Sequence, residues 1–200
     1  MFVILLKDIA KLTIGVSYAR YETSQDDPNS IECELFTLQE FNKALNLPYR
    51  LDAERVKTVF IGMQHKEKLL FTEENVLVIH LLTQTALSVP EKYSRLLIPS
   101  SFVFVQLNGK VDSHFFEWYF NEHPAIRKQI AMNTQGAVVS TLSIATLREL
   151  EIHLPLLETQ QKLGRIYQLQ QRKNDLYEEK KELETNYVNQ IILNQMEEQK

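Results

Sequence analysis

Three polar stretches carry side chains that could recognise a ligand by hydrogen bonding. Ser17 and Arg20 follow Gly15; Gln64, His65, Lys66 and Lys68 sit between two strand-like runs; Asn133, Thr134 and Gln135 precede Gly136. Arg, Lys, Asn and Gln present the paired donors and acceptors that match base edges in a DNA major groove. The same residue types also make ordinary solvated loops. Lys57 belongs with the second stretch, because residues 41–70 carry a local charge balance of +3.

Catalytic patterns are weaker. His114 and Glu117 lie three apart on an expected helix and could face one metal ion, but no second histidine follows at the next turn. A structural role for His114, His80 and His153 is the expectation. Glu91-Lys92 has the form of the last two positions of a nuclease motif, in a loop-like setting. Cys33 has no His or Asp beside it to activate a thiolate. With five glycines in the chain there is no phosphate-binding loop and no dinucleotide fingerprint. No metal and no cofactor are expected, and no catalytic residue is assigned.

Composition sets the bounds. Two hundred residues with 44% hydrophobic content allow one full domain and an appendage. No apolar run is long enough to cross a membrane. The apolar start Met1–Leu6 is cut short by Lys7 and Asp8, so it reads as a strand or buried arm and not as a signal peptide. A single cysteine fits a reducing, cytoplasmic setting. The net charge of −4 is low for a protein that holds DNA alone. The basic side chains must then share one face, or a basic partner must supply most phosphate contacts.

Short elements must position the polar stretches. Residues 17–30 read as an exposed loop. Thr37 and Glu40 form a capping box for a short helix that stops before Pro48. Strands are expected over 55–61, 76–82 and 101–107, with a turn at Asn108-Gly109. Asp112 or Ser113 caps an aromatic helix through Phe115, Phe116, Trp118, Tyr119 and Phe120, which should be largely buried. Short helices over 126–132 and from Ser143, then a last strand over 151–154, complete residues 1–155. Strands mixed with helices, without βαβ alternation, give an α+β class.

Residues 156–200 differ. After Pro155, which can open a helix, there is no further proline, and Leu, Gln, Glu and Lys dominate. Ile166, Leu169, Lys173, Leu176, Lys180, Leu183 and Tyr187 alternate spacings of three and four, a heptad seam. Forty residues at about 1.5 Å each make a rod of about 60 Å. One small domain cannot cover it, so it needs a partner helix. A parallel pair would stack Lys173 on Lys173 and Lys180 on Lys180. An antiparallel pair sets Lys173 against Leu183 and Lys180 against Leu176, so each lysine stem lies on leucine. The expectation is an antiparallel homodimer.

The junction Leu150–Gln160 resembles the "I-x-L-P-P-L-E-E-Q" signature of specificity subunits of type I restriction-modification systems, with Leu156 where the second proline is usual and Thr159 where the second Glu is usual. Leu6–Gly15 is similar to the "L-x-D-I-x-x-x-x-x-G" entry of their target recognition domains, and the aromatic helix to their "D-x-x-F-x-x-Y-x-x" helix. The resemblance implies a small mixed target recognition domain over 1–155 and a long spacer helix over 156–200, half of the usual two-domain subunit. It implies a non-catalytic chain that binds double-stranded DNA at a defined half-site, positions a methyltransferase subunit and, through it, a restriction subunit. Two other readings stay open at this point: a small nuclease or DNA-modification enzyme, and a coiled-coil adaptor without a nucleic-acid role.

Overall fold

The computed structural model describes residues 2–47, 57–74, 76–134 and 141–197. Gln135, Gly136, Arg50 and Arg55 lie outside these. The centre is a four-stranded antiparallel sheet of β2 (Ala10–Ile14), β7 (Phe102–Leu107), β5 (Leu77–His80) and β6 (Thr85–Ser88), in that spatial order. β1 (Phe2–Leu5) pairs with β8 (Glu151–Leu154), and β3 (Ser30–Glu34) with β4 (Thr58–Gly62), as two separate ribbons. The helices are α1 (Leu6–Ile9), α2 (Leu38–Ala44), α3 (Ser113–Glu122), α4 (Pro124–Thr134), α5 (Ile144–Arg148) and α6 (Leu157–Glu197). Mixed strands and helices followed by one long helix are the α+β arrangement that the sequence implies.

Every residue of β5 is buried, because the sheet is covered on both faces. Leu77, Ile79, Val103 and Val105 meet Phe115, Phe116, Tyr119 and Phe120 of α3 on one side. Val78, Leu87 and Phe102 meet Phe36 and Phe41 on the other. A third, smaller core of Val16, Cys33, Leu35, Val59, Ile61 and Leu97 lies under the β3–β4 ribbon. Three expected helix caps are in place: Asp112 accepts from the Phe115 N–H, Ser143 accepts from the Thr146 N–H, and Thr37 and Glu40 form a capping box.

The strands β3 and β6 were not legible in the sequence. β6 reads Thr-Ala-Leu-Ser, without alternation, since both of its faces are covered. Residues 63–68 are a 3-10 turn and not an open connection. α4 runs to Thr134, so Asn133 belongs to a helix end and not to a loop. α6 opens two residues after Pro155, and the first turn is closed by Gln160, whose side-chain N–H donates to the Pro155 carbonyl at 2.9 Å.

Two glycines mark close approaches. A Cβ on Gly15 would run into the backbone carbonyls of Ile98 and Pro99. A Cβ on Gly164 would collide with the Asp112 carboxylate and the Phe115 backbone, so this glycine lets α6 rest on the first turn of α3. Gly164→Val should therefore destabilise the fold by about 2 kcal/mol. Gly109→Ala, at a position where a Cβ meets nothing, should change stability by less than about 0.5 kcal/mol. Thermal melts of both variants check this pair.

Candidate nucleic-acid interface and its joint to the rod

The ribbon β3–β4 and the segment before it bring two of the three polar stretches together. The Gly62 N–H donates to the Tyr21 carbonyl and the Thr23 N–H to the Phe60 carbonyl, which stitches residues 21–23 along β4. Side chains then meet across that seam. Lys57 Nζ donates to the Tyr18 hydroxyl at 3.1 Å and lies 5.5 Å from its ring centre. Lys68 Nζ lies 5.0 Å from the Tyr21 ring, and the His65 ring stands 4.5 Å from the same ring. Ser17, Arg20, Gln64 and Lys66 are exposed beside this group. The result is an exposed surface of lysines and tyrosines above a small apolar core, with Glu22 and Glu67 exposed among them. The acidic side chains Glu32 and Glu34 stay exposed on the neighbouring strand.

Asn133 is placed elsewhere. Its side-chain N–H donates to the Gln129 carbonyl one turn back, and α4 packs against α3 and β8, where Gln129 bonds both backbone groups of Glu151. No contact among the described residues joins Asn133 to the basic surface. Thr134 ends the same helix.

The residues weighed for catalysis have structural partners. Burial, helped by the Glu32 carboxylate, pushes the Cys33 thiol up, away from the thiolate that nucleophilic chemistry needs. His80 is buried between Phe41 and Phe102, with Thr83 on Nδ1 at 2.9 Å. His153 Nδ1 meets the Tyr119 hydroxyl at 3.1 Å. His114 and Glu117 turn to different neighbours, and both belong to the joint with α6.

That joint is polar and buried. Gln160 is 2% exposed; its carbonyl oxygen accepts from the Asp112 N–H at 3.1 Å and its amide donates to the Lys110 and Pro155 carbonyls. Two turns on, Gln168 Nε2 donates to His114 Nε2 at 3.2 Å. Burial holds His114 below its ordinary range, which favours the neutral ring with one nitrogen able to accept. Glu117, 5% exposed, accepts from the Ser88 N–H at 3.0 Å and from the Tyr167 hydroxyl at 3.4 Å, so one carboxyl ties α3 to β6 and α6. Burial raises it to about 7 against those two hydrogen bonds, and Tyr167 is pushed up to about 12 by burial and by that carboxylate. Asn46 after α2 donates to Asp175, further along the rod on this face.

The docked residues Gln160, Gly164, Tyr167, Gln168, Gln171 and Asp175 share one side of α6. At 3.6 residues per turn the heptad seam lies roughly 160° round the helix from them. Every seam residue is exposed, its apolar members ranging from Leu176 at 49% to Tyr187 at 69%. The rod is thus held by one face and bare on the other.

No family model and no curated protein matches the sequence. Solved structures do match the fold. The HsdS subunit from Thermoanaerobacter tengcongensis superposes with a TM-score of 0.50 at 10% identity, over 86% of this chain and 37% of that one. A chain from work on complex assembly and conformational transition of the type I R-M system gives 0.58 at 12%, over 88% and 43%. The type-I restriction-modification S subunit from M. genitalium gives 0.51 at 16%, over 90% and 41%. The fold is the HsdS fold. The chain spans about two fifths of the length of these structures. Among the described residues, no helix is long and apolar enough to cross a membrane.

Within this HsdS fold, sequence reasoning located the basic stretches but missed Tyr18 and Tyr21, which hold them together. Their only signal was two tyrosines flanking Arg20. It also read Glu117 as a possible ligand, whereas its register on α3 turns it inward toward Ser88 and Tyr167. The folded protein binds the Glu117 proton more tightly than the unfolded chain does. The stability this gives is full below about pH 4.5 and is lost as pH rises through about 7, a change of about 3 kcal/mol. Glu117→Gln should flatten the stability profile between pH 5 and pH 8, with the variant the more stable of the two at about pH 8. Denaturant melts across that range check it.

Proposed function

We propose that this chain is the DNA-reading, non-catalytic specificity component of a type I restriction-modification system. Residues 1–155 act as the target recognition domain and residues 156–200 as a spacer and dimerisation helix. Ser17, Arg20, Lys57, Gln64, His65, Lys66 and Lys68 contact the duplex from the surface around β4. Asn133 and Thr134 at the end of α4, with Gln135 next in sequence, approach it as a second, separate contact. A methyltransferase subunit docks on the assembly and, with it, a restriction subunit. The observation that carries this reading is the rod, clamped to its domain on one face and bare along a heptad seam on the other, in a fold shared with HsdS subunits.

The bare seam takes a second copy in antiparallel register, with Ile166 opposite Gln190, Lys173 opposite Leu183, Lys180 opposite Leu176 and Tyr187 opposite Leu169. Three leucines from each chain, at roughly 1.5–3 kcal/mol apiece when fully buried, dominate the association. Two domains related by a two-fold axis then read inverted half-sites separated by a fixed spacer. Sedimentation of the wild type should give a dimer and Leu176→Asp a monomer. A monomeric wild type, or a dimeric variant, contradicts the arrangement.

The acidic balance of the chain points to a partner that supplies phosphate contacts. DNA binding should be weak for the isolated chain at physiological salt and strong with the methyltransferase subunit added, falling linearly in log affinity with log salt. Replacing Lys66 and Lys68 together with Ala should weaken binding to the specific site. Equal loss on non-specific duplex marks phosphate contacts; a loss of discrimination marks base contacts. No change in either removes residues 62–68 from the interface.

A further inference from the structure

Four lysines in the described residues lie over tyrosine rings, and they divide into two kinds. Lys92 with Tyr93, and Lys173 with Tyr177, pair chain neighbours on one element. Such pairs arise wherever a long side chain follows its own helix or turn. Lys57 with Tyr18, and Lys68 with Tyr21, join residues about 40 positions or more apart, across separate elements. Both pairs lie on the same basic surface. Both tyrosines are half-buried against the small third core, so their rings are fixed from below. Their lysines are exposed.

We propose that Tyr18 and Tyr21 are positioning residues for phosphate binding: Tyr18 holds the Lys57 ammonium, and Tyr21 holds the Lys68 ammonium and the His65 ring, at set points along the DNA backbone. The inference rests on the DNA-reading role of this surface. A free lysine gives up much of its rotamer freedom on binding a phosphate; one already laid over a ring has given up part of it in the folded protein. A lysine keeps three N–H donors, so an ammonium resting on an aromatic face, or giving one proton to a hydroxyl, still has donors for a phosphate oxygen. The backbone ladder from Tyr21 to Gly62 and from Thr23 to Phe60 fixes the tyrosine-bearing segment on β4, so the two cations are held relative to each other as well. With 26 Asp+Glu against 22 Lys+Arg, repulsion by the acids works against the duplex, which makes fixing the cations that meet it worthwhile.

The test is the salt dependence of binding by the full chain to a mixed-sequence duplex of about 30 bp, read by fluorescence anisotropy at low salt. Each phosphate contact contributes about 0.9 to the slope of log affinity against log salt. Lys68→Ala should lower the slope by about 0.9, and Tyr21→Leu should lower it similarly and weaken binding about tenfold. Tyr21→Phe keeps the ring and should keep both slope and affinity. Adding Lys68→Ala to Tyr21→Leu should cost nothing further. Tyr18→Leu and Lys57→Ala should behave as a second such pair. Tyr21→Gln is a second ring-less variant should the leucine variant fold poorly. An unchanged slope in the ring-less variants, or losses that add fully to those of the lysine variants, overturns the positioning role. If Lys57→Ala and Lys68→Ala themselves leave affinity and slope unchanged, the DNA-reading role of the surface fails first, and the inference fails with it.

Discussion

The contact of α6 with the first turn of α3 is the constraint on which the rest of the molecule depends. A helix of 41 residues has no reason to lie at a fixed angle to a small domain unless something locks its base. Here Gly164 removes the side chain that would keep the two backbones apart, and Gln160 fills the space beneath with three hydrogen bonds. Tyr167 and Gln168 then meet Glu117 and His114. Polar groups this buried are costly when unpaired and direction-setting when paired. The joint therefore fixes the rotation of α6 about its own axis. That rotation turns the docked residues inward and leaves the heptad seam outward, where the domain cannot reach it.

The domain is built to hold that joint still. Its central sheet is sealed on both faces, one by the aromatic helix α3 and the other by Phe36 and Phe41. α3 serves two neighbours at once. Phe115, Phe116 and Phe120 face the sheet, while Asp112, His114 and Glu117 face or flank α6. The basic surface stands on a different footing, a ribbon over a small separate core, joined to the sheet through Val16 and Leu97.

Much of this was legible in the residues. The capping boxes and caps at Thr37, Asp112 and Ser143 are local chemistry, set by side chains within three positions of the backbone they satisfy. The rod was legible because helix propensity and a heptad both repeat over many turns. The junction at Pro155 carried the resemblance that the fold bears out. What escaped depended on distant partners. β6 is short and lacks alternation, while β3 alternates as Ser-Ile-Glu-Cys-Glu over only five residues and pairs with β4 nearly thirty positions on. The polar stretch at 133–135 read as a loop because helix α4 continues through Asn133 on contacts that Gln129 makes with β8, not on a sequence signal. Gly164 carries no local signal of its role, and only the position of Asp112 explains it. Tyr18 and Tyr21 had no periodicity to mark them, since what matters is where Lys57 and Lys68 arrive from 40 residues away.

The joint leaves the heptad seam exposed, and the proposed pairing seats a second copy on it in antiparallel register. Disulfide trapping in a Cys33→Ser background reads that register directly. Leu176→Cys with Lys180→Cys in the same chain should give a covalent dimer under mild oxidation, because each thiol then faces its counterpart on the partner. Lys173→Cys alone should stay monomeric on a denaturing gel. A covalent dimer from Lys173→Cys alone, or none from the Leu176→Cys, Lys180→Cys pair, would contradict the account.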